Sequence, residues 1–274
     1  MTRTLTASVS VSELAVSERC PREWYYAYSL RLRPRTETRS QARGHAIHAA
    51  IAAWHAGAPP LVAADDPYDA ARWTAMVATY AATVQRAPTQ RAEVPIDAAS
   101  IGHGVRLHGV VDALDDDVLV ERKTTSDDIS IGSAYWRRLR LDPQIHLYAH
   151  ATGRWQVRYE VLRVPAHRPS KDETAEGFGT RVAAAISIEP ERYVASADIT
   201  LRGVDVEAAR ADAVAVARRI RANAKLGARA PRHTSQCVRH HTLCSYHDVC
   251  SGIASIFDAM RFERRAPNEA AKTT

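Results

Sequence analysis

The chain has 274 residues, 46% hydrophobic and 25% charged, which excludes a low-complexity or disordered protein and allows a sizeable core. Its formal charge of +6 comes mainly from arginine, which suits a phosphate-bearing partner without requiring one. No apolar run reaches the length of a membrane span and MTRTLTASVS lacks the apolar stretch of a leader, so a cytoplasmic protein with no membrane partner is expected.

In chain order, residues 9–28 read as helical, with Ser10 or Ser12 as the N-cap and Pro21 opening a second helix or turn. Residues 30–43 are polar and carry Arg31, Arg33, Arg35, Arg39 and Arg43, the composition of a loop or ordered arm. An alanine-rich helix at 41–57 holds His45, His48 and His55, and Gly44 lets it approach another backbone closely. The helix at 67–86 has a core stripe of Tyr68, Trp73, Met76, Val77 and Tyr80. A strand at 92–96 starts a sheet, with Glu93 as a surface charge. β-Rich runs at 105–114 and 118–124 flank Asp115, Asp116 and Asp117, the signal of a hairpin. Residues 133–152 are helical, interrupted at Pro143. Strands at 155–164 and 193–201 alternate with helices at 172–186 and 205–224. A Cys- and His-rich segment, 231–252, precedes a short helix at 253–262. No repeat or composition break divides the chain. One α/β domain is expected over 1–262, with its core at 41–224, ends at 10–30 and 231–252, and a disordered tail at 263–274.

The hairpin carries the first chemical signal. Glu121 and Lys123 are two apart, so on a strand they leave the same face, and Asp112 on the preceding strand can reach the same point. Two carboxylates and a lysine together suit a hard divalent cation with a cationic helper. A solvated hairpin with its charges in water fits the spacing equally well. Gln144 and Tyr148, four apart, share a helix face.

Cysteine carries the second. Cys237, Cys244 and Cys250 crowd one segment, and Cys20 lies near the other end. In a cytoplasmic chain this spacing points to metal rather than disulfides. Four cysteines would tie the two ends together and suit zinc or an iron–sulfur cluster. A local zinc site using His240, His241 or His247 and sparing Cys20 is the competing reading, and free buried cysteines are a third.

Taken together, Gly44 and His48, Gly109 to Asp112, Glu121-Arg122-Lys123, and Gln144 with Tyr148 resemble the motif series of the RecB-like branch of the PD-(D/E)XK nucleases. Cys20-Pro21 with three late cysteines is similar to that branch's iron–sulfur members: the fourth family of CRISPR-associated (Cas) proteins, the AddB nuclease domain and phage exonucleases. The resemblance covers residues 10–250. It implies a restriction-endonuclease-like core, a mixed central sheet flanked by helices, with the N- and C-terminal segments joined at a metal-cluster site. It implies that His48, Asp112, Glu121 and the Arg122 carbonyl bind Mg²⁺ or Mn²⁺. Lys123 would position or activate the attacking water, and Gln144 and Tyr148 would orient the site or the strand. Cys20, Cys237, Cys244 and Cys250 would hold a [4Fe–4S] cluster. The cysteine spacing departs from the family's, since His241 stands where a cysteine is expected, which keeps a His241 ligand and zinc open.

The activity implied is a metal-dependent DNA exonuclease acting on single strands or ends, in phage or prokaryotic recombination, repair or CRISPR adaptation, with a protein partner from such a pathway. The alternative is a catalytically idle DNA-binding or scaffold subunit. The arginines of 31–43, with Arg137, Arg138 and Arg140, are candidate phosphate contacts, which would make binding salt-sensitive. No groove-reading motif points to sequence-specific recognition.

Overall fold

The computed structural model describes residues 7–239 and 242–265. A short strand, β1 (Ala7–Val9), leads to Ser10, whose hydroxyl accepts from the Glu13 N–H and caps α1 (Val11–Arg19). Pro21 opens α2 (Pro21–Trp24), where its missing N–H costs nothing, and the helix continues as a wider turn through Tyr25–Ser29. The arginine-rich arm contains β2 (Leu32–Pro34) and the start of α3 (Arg39–His55), where Thr38 and Gln41 form a reciprocal capping box. Asp66 caps α4 (Pro67–Thr83). A meander follows: β3 (Arg91–Gly102), β4 (Val105–Asp115) and β5 (Val118–Thr125). Asp116 turns β4 into β5 with a left-handed φ of 51°, a conformation aspartate tolerates. Helices α5 (Ala134–Leu139) and α6 (Pro143–Thr152) cross over to β6 (Gln156–Arg163). Then come α7 (Ala175–Ser187), β7 (Val194–Thr200) and α8 (Gly203–Ala224). The last segment holds the paired strands β8 (Val238–Arg239) and β9 (Thr242–Leu243), helix α9 (His247–Ser251) and β10 (Phe262–Arg264).

The central sheet runs β1-β4-β5-β6-β7, with β3 also on β4. Pairs β1–β4 and β5–β6 are parallel and the others antiparallel, so the sheet is mixed. A parallel pair needs a crossover, and α5 with α6 supplies it. One cluster buries Leu107, Val111, Leu119, Val157 and Tyr159 with residues of α1, α6 and α8. A second packs Leu162 and Val194 under Ile47, Ile51, Trp73, Met76, Val77 and Tyr80 of α3 and α4. Phe178, Val182 and Ile186 dock α7 on α4. The expected architecture, an α/β fold with a mixed sheet between helices, is what the chain forms.

Two expectations fail at the C-terminal end. No helix covers 253–262. Gly252 closes α9 at a φ of 81°, the Asp248 carbonyl takes the N–H groups of Ile253 and Ala254, and the chain then bends into β10. There Glu263 and Arg264, expected in a disordered tail, pair antiparallel with Arg33 and Leu32 of β2. The strand at 92–96 extends to Gly102, and the helical reading from residue 9 misses β1. Among the described residues no helix is long and apolar enough to cross a membrane.

Candidate active site

Strands β4 and β5 are paired only from Asp115–Val118 to Ala113–Val120. Beyond that the strands part, and β4 takes β1 as its neighbour along Val105–Leu107. In the fork the Asp112 side chain replaces the missing ladder: its Oδ2 accepts the Arg122 backbone N–H at 2.7 Å. Oδ1 of the same carboxylate lies 3.2 Å from Nδ1 of His48 on α3. Burial works against the charge on both groups. Their hydrogen bond and mutual attraction outweigh it, so the His48 pKa is raised and that of Asp112 is lowered.

Glu121 is 1% exposed, and its Oε1 stands 2.6 Å from the Lys123 Nζ. Its other oxygen, Oε2, is buried and has no hydrogen-bond partner among the described residues. Burial pushes Glu121 up to about 7, against the opposing pull of Lys123. Burial also disfavours the charge on Lys123, but Glu121 and Asp142 outweigh it and raise its pKa, so the ammonium is retained. The same Nζ lies 3.3 Å from Asp142 Oδ2 and donates to Gln144 Oε1 at 2.9 Å. Gln144 is thus brought into contact with the Lys123 ammonium. Asp142 was missed, although an Asp-Pro pair at a helix start announces an N-cap: its carboxylate accepts the Gln144 N–H at 2.9 Å.

Tyr148 is fully buried behind this group, held protonated by burial and by the charges of Glu121 and Asp112. Its hydroxyl lies against Gly109, where a Cβ would come within 2.7 Å of it, so the glycine makes room for the phenol.

The Arg122 side chain leaves the opposite face of β5. Its Nε donates to Glu160 Oε2 at 3.0 Å, and both side chains are 2% exposed. Glu160 also accepts from the Tyr80 hydroxyl at 2.6 Å, and Tyr80 Oη lies 3.0 Å from His55 Nε2. Burial lowers the His55 pKa to about 4, so its ring is neutral. Nδ1 accepts the Ala87 N–H at 3.2 Å, which places the proton on Nε2, facing Tyr80. His55 is thus a satisfied core residue, and His45 pairs with Glu37 at 3.2 Å on the surface. Of the three histidines on α3, only His48 reaches the fork.

The donor set in the fork suits a hard divalent cation. It offers two carboxylates, one with a partnerless buried oxygen, and a backbone carbonyl on the same strand. As the side chains stand, no three His, Cys, Asp or Glu groups among the described residues are close enough to hold one metal ion.

At the chain ends, Cys20, Cys237, Cys244 and Cys250 line one cavity of about 20 Å³, beside Arg22, Arg232, His233 and His247. All four are half-buried and free of disulfides. The Cys244 N–H donates to the Cys237 carbonyl at 2.7 Å, and the Arg22 N–H to the Pro231 carbonyl at 3.0 Å. Burial pushes the Cys244 thiol up, and the charge of Glu23 adds to the effect. The two ends do meet here, and Cys20 shares the cavity with the late cysteines. His240 and His241 lie outside the described residues.

The family model of the PD-(D/E)XK nuclease superfamily matches residues 8–251. The chain belongs to that superfamily. A PD-(D/E)XK nuclease is a metal-dependent enzyme acting on nucleic acid, and that coarse activity follows from membership. Among solved structures, "Crystal structure of SSO0001" is similar at 14% identity over 76% of each chain, with a TM-score of 0.38, too distant to carry an argument. No curated protein matches the chain.

Proposed function

We propose that this PD-(D/E)XK nuclease is a Mg²⁺- or Mn²⁺-dependent DNA exonuclease acting on single strands or ends. The observation that carries the reading is the fork. It gathers Asp112, Glu121 and Lys123 with His48 and leaves one Glu121 oxygen buried and partnerless. His48, Asp112, Glu121 and the Arg122 carbonyl would hold the cation. When bound, the cation supplies the positive charge that offsets the anion developing on the phosphate. Lys123, held charged by Glu121 and Asp142, orients the attacking water and faces the same anion. Gln144 fixes the Lys123 ammonium, and Tyr148 fills the space behind the carboxylates. Digestion of end-labelled single- and double-stranded DNA with Mg²⁺ or Mn²⁺ tests this. Shortening from an end is the expected result. Intact DNA under both ions would leave the idle binding subunit as the better account.

We further propose that Cys20, Cys237, Cys244 and Cys250 hold a [4Fe–4S] cluster. One observation supports it: all four cysteines line one cavity. Anaerobically purified protein should be brown; colourless protein with stoichiometric zinc would favour the zinc alternative. Recombination, repair or CRISPR adaptation is the setting the resemblance supports, and co-purification with a protein of such a pathway tests it.

A further inference from the structure

Where α3 and α4 begin, three arginines crowd one carboxylate. Arg39 Nε donates to Asp69 Oδ2 at 2.6 Å, and its Nη2 bonds the other oxygen. Arg72 Nη1 stands 3.5 Å from Asp69 Oδ1, and its Nη2 donates to the His167 carbonyl at 2.7 Å. Arg43 is half-buried beside them. Burial lowers its pKa, the charges of Arg39 and Arg72 lower it further, and Asp69 only partly compensates. Asp66 also bears on the group, but its Oδ1 accepts the N–H groups of Tyr68 and Asp69 at the head of α4.

The cluster is short of acceptors as well as negative charge. Arg43 Nε and Arg72 Nε are buried and have no hydrogen-bond partner among the described residues. Arg72 is 9% exposed and lies over the Phe178 ring, 5.2 Å from its centroid, so its guanidinium cannot swing out to water. Two helices of 17 residues each, α3 and α4, direct their positive ends to the same place. Buried guanidinium N–H groups without acceptors, among like charges, are costly unless an anion joins them. The forked geometry of arginine matches the oxygens of a phosphate.

We propose that Arg39, Arg43 and Arg72 form an anion site for a backbone phosphate of the DNA strand, apart from the phosphate that is cleaved. This rests on the nuclease reading for the identity of the anion. Arg43 and His48 lie on one helix, about 7.5 Å apart along its axis, so the cluster and the metal ligands are held at a fixed spacing. The cluster sets where the strand lies, and the fork cuts it.

The test is the affinity of a fluorescein-labelled oligothymidylate, read by anisotropy in EDTA so that no cleavage occurs, across a range of salt. Arg43→Gln is expected to weaken binding about tenfold and to reduce the salt slope by about one. Arg218→Gln, which removes a charge from the exposed face of α8, should leave both unchanged. If Arg43→Gln fails to fold, Arg39→Gln, whose side chain is 63% exposed, repeats the measurement. Wild-type affinity and slope in the folded arginine variants overturn the proposal. Wild-type protein that needs Arg43 to bind the oligonucleotide but never cuts it with Mn²⁺ would sink the nuclease reading and leave the anion site standing.

Discussion

The fork at Asp112 and the cavity at Cys20 are both candidate metal centres, and they are built in opposite ways. The fork sits where two central strands part, and nearly every charged group in it already faces a partner from the chain: His48 on Asp112, Lys123 on Glu121, Gln144 on Lys123. The exception is the buried second oxygen of Glu121. The cysteine cavity is framed by two-residue strands, a five-residue helix, single hydrogen bonds such as that between Arg22 and Pro231, and a small apolar cluster of Tyr26, Leu32, Tyr246, Val249 and Phe262. Elements so short are not stable alone. A metal or cluster bound to the four thiols, as proposed, would contribute folding energy directly. A charged active site can be preorganised by its own sheet, whereas the proposed thiol site at the chain ends rests on a small apolar cluster and would gain further order from its ligand.

The sharpest way to break this comparison is chemical. Lys123→Ala should reduce Mn²⁺-supported DNA cleavage by at least about a hundredfold, the size seen when one positioned charge-stabilising group is removed. Its far-ultraviolet circular dichroism should match wild type; loss of fold would show that the fork depends on its charges for structure. Next in size is Glu160→Gln, which leaves the Arg122 guanidinium buried without its counter-charge behind the fork. A loss of about 3–5 kcal/mol in urea unfolding is expected. Cys20→Ser addresses the other centre. It should abolish the visible absorbance of the proposed cluster and expose 231–265 to limited proteolysis before the core is cut. Uniform digestion of the whole chain would show that the two regions unfold as one. Gly109→Ala forces a methyl against the Tyr148 hydroxyl and should cost about 1–3 kcal/mol in thermal unfolding.

The smallest effect is a pH dependence of the network behind the fork. Burial holds the His55 pKa at about 4, below the ordinary 6.5, so the unfolded chain takes up a proton that the folded chain refuses. His55 therefore contributes stability that is complete above about 6.5 and lost progressively as pH falls toward about 4. Urea midpoints across that window should decline in wild type and decline less in His55→Gln.

Short-range signals carried most of the candidate site. Glu121 and Lys123 share a face because strands alternate, and the flanking β-branched runs mark the hairpin that brings Asp112 beside them. What stayed hidden depends on register between distant segments. Glu160 meets Arg122 because β6 pairs in parallel with β5, and nothing in either stretch specifies that alignment. Tyr80 looked like core stripe, which it is, yet its hydroxyl bridges His55 and Glu160. Ile253, Ile256 and Phe257 imitate a helical stripe, but a left-handed glycine and the pull of β2 lead the chain elsewhere.

The pairing of β10 with β2 also bears on how the protein is made. Phe262 lies against Pro34, so β2 and the cysteine-bearing turn beside it have no sheet partner until translation has passed residue 264. The mixed sheet can close while the C-terminal segment is still in the ribosome, because domains fold as their residues emerge. The early-made end must then wait, its Tyr26 and Leu32 uncovered, for Tyr246 and Phe262 to arrive. A chain stalled before that point would present a finished nuclease core beside an open apolar seam, a substrate for chaperones rather than for metal.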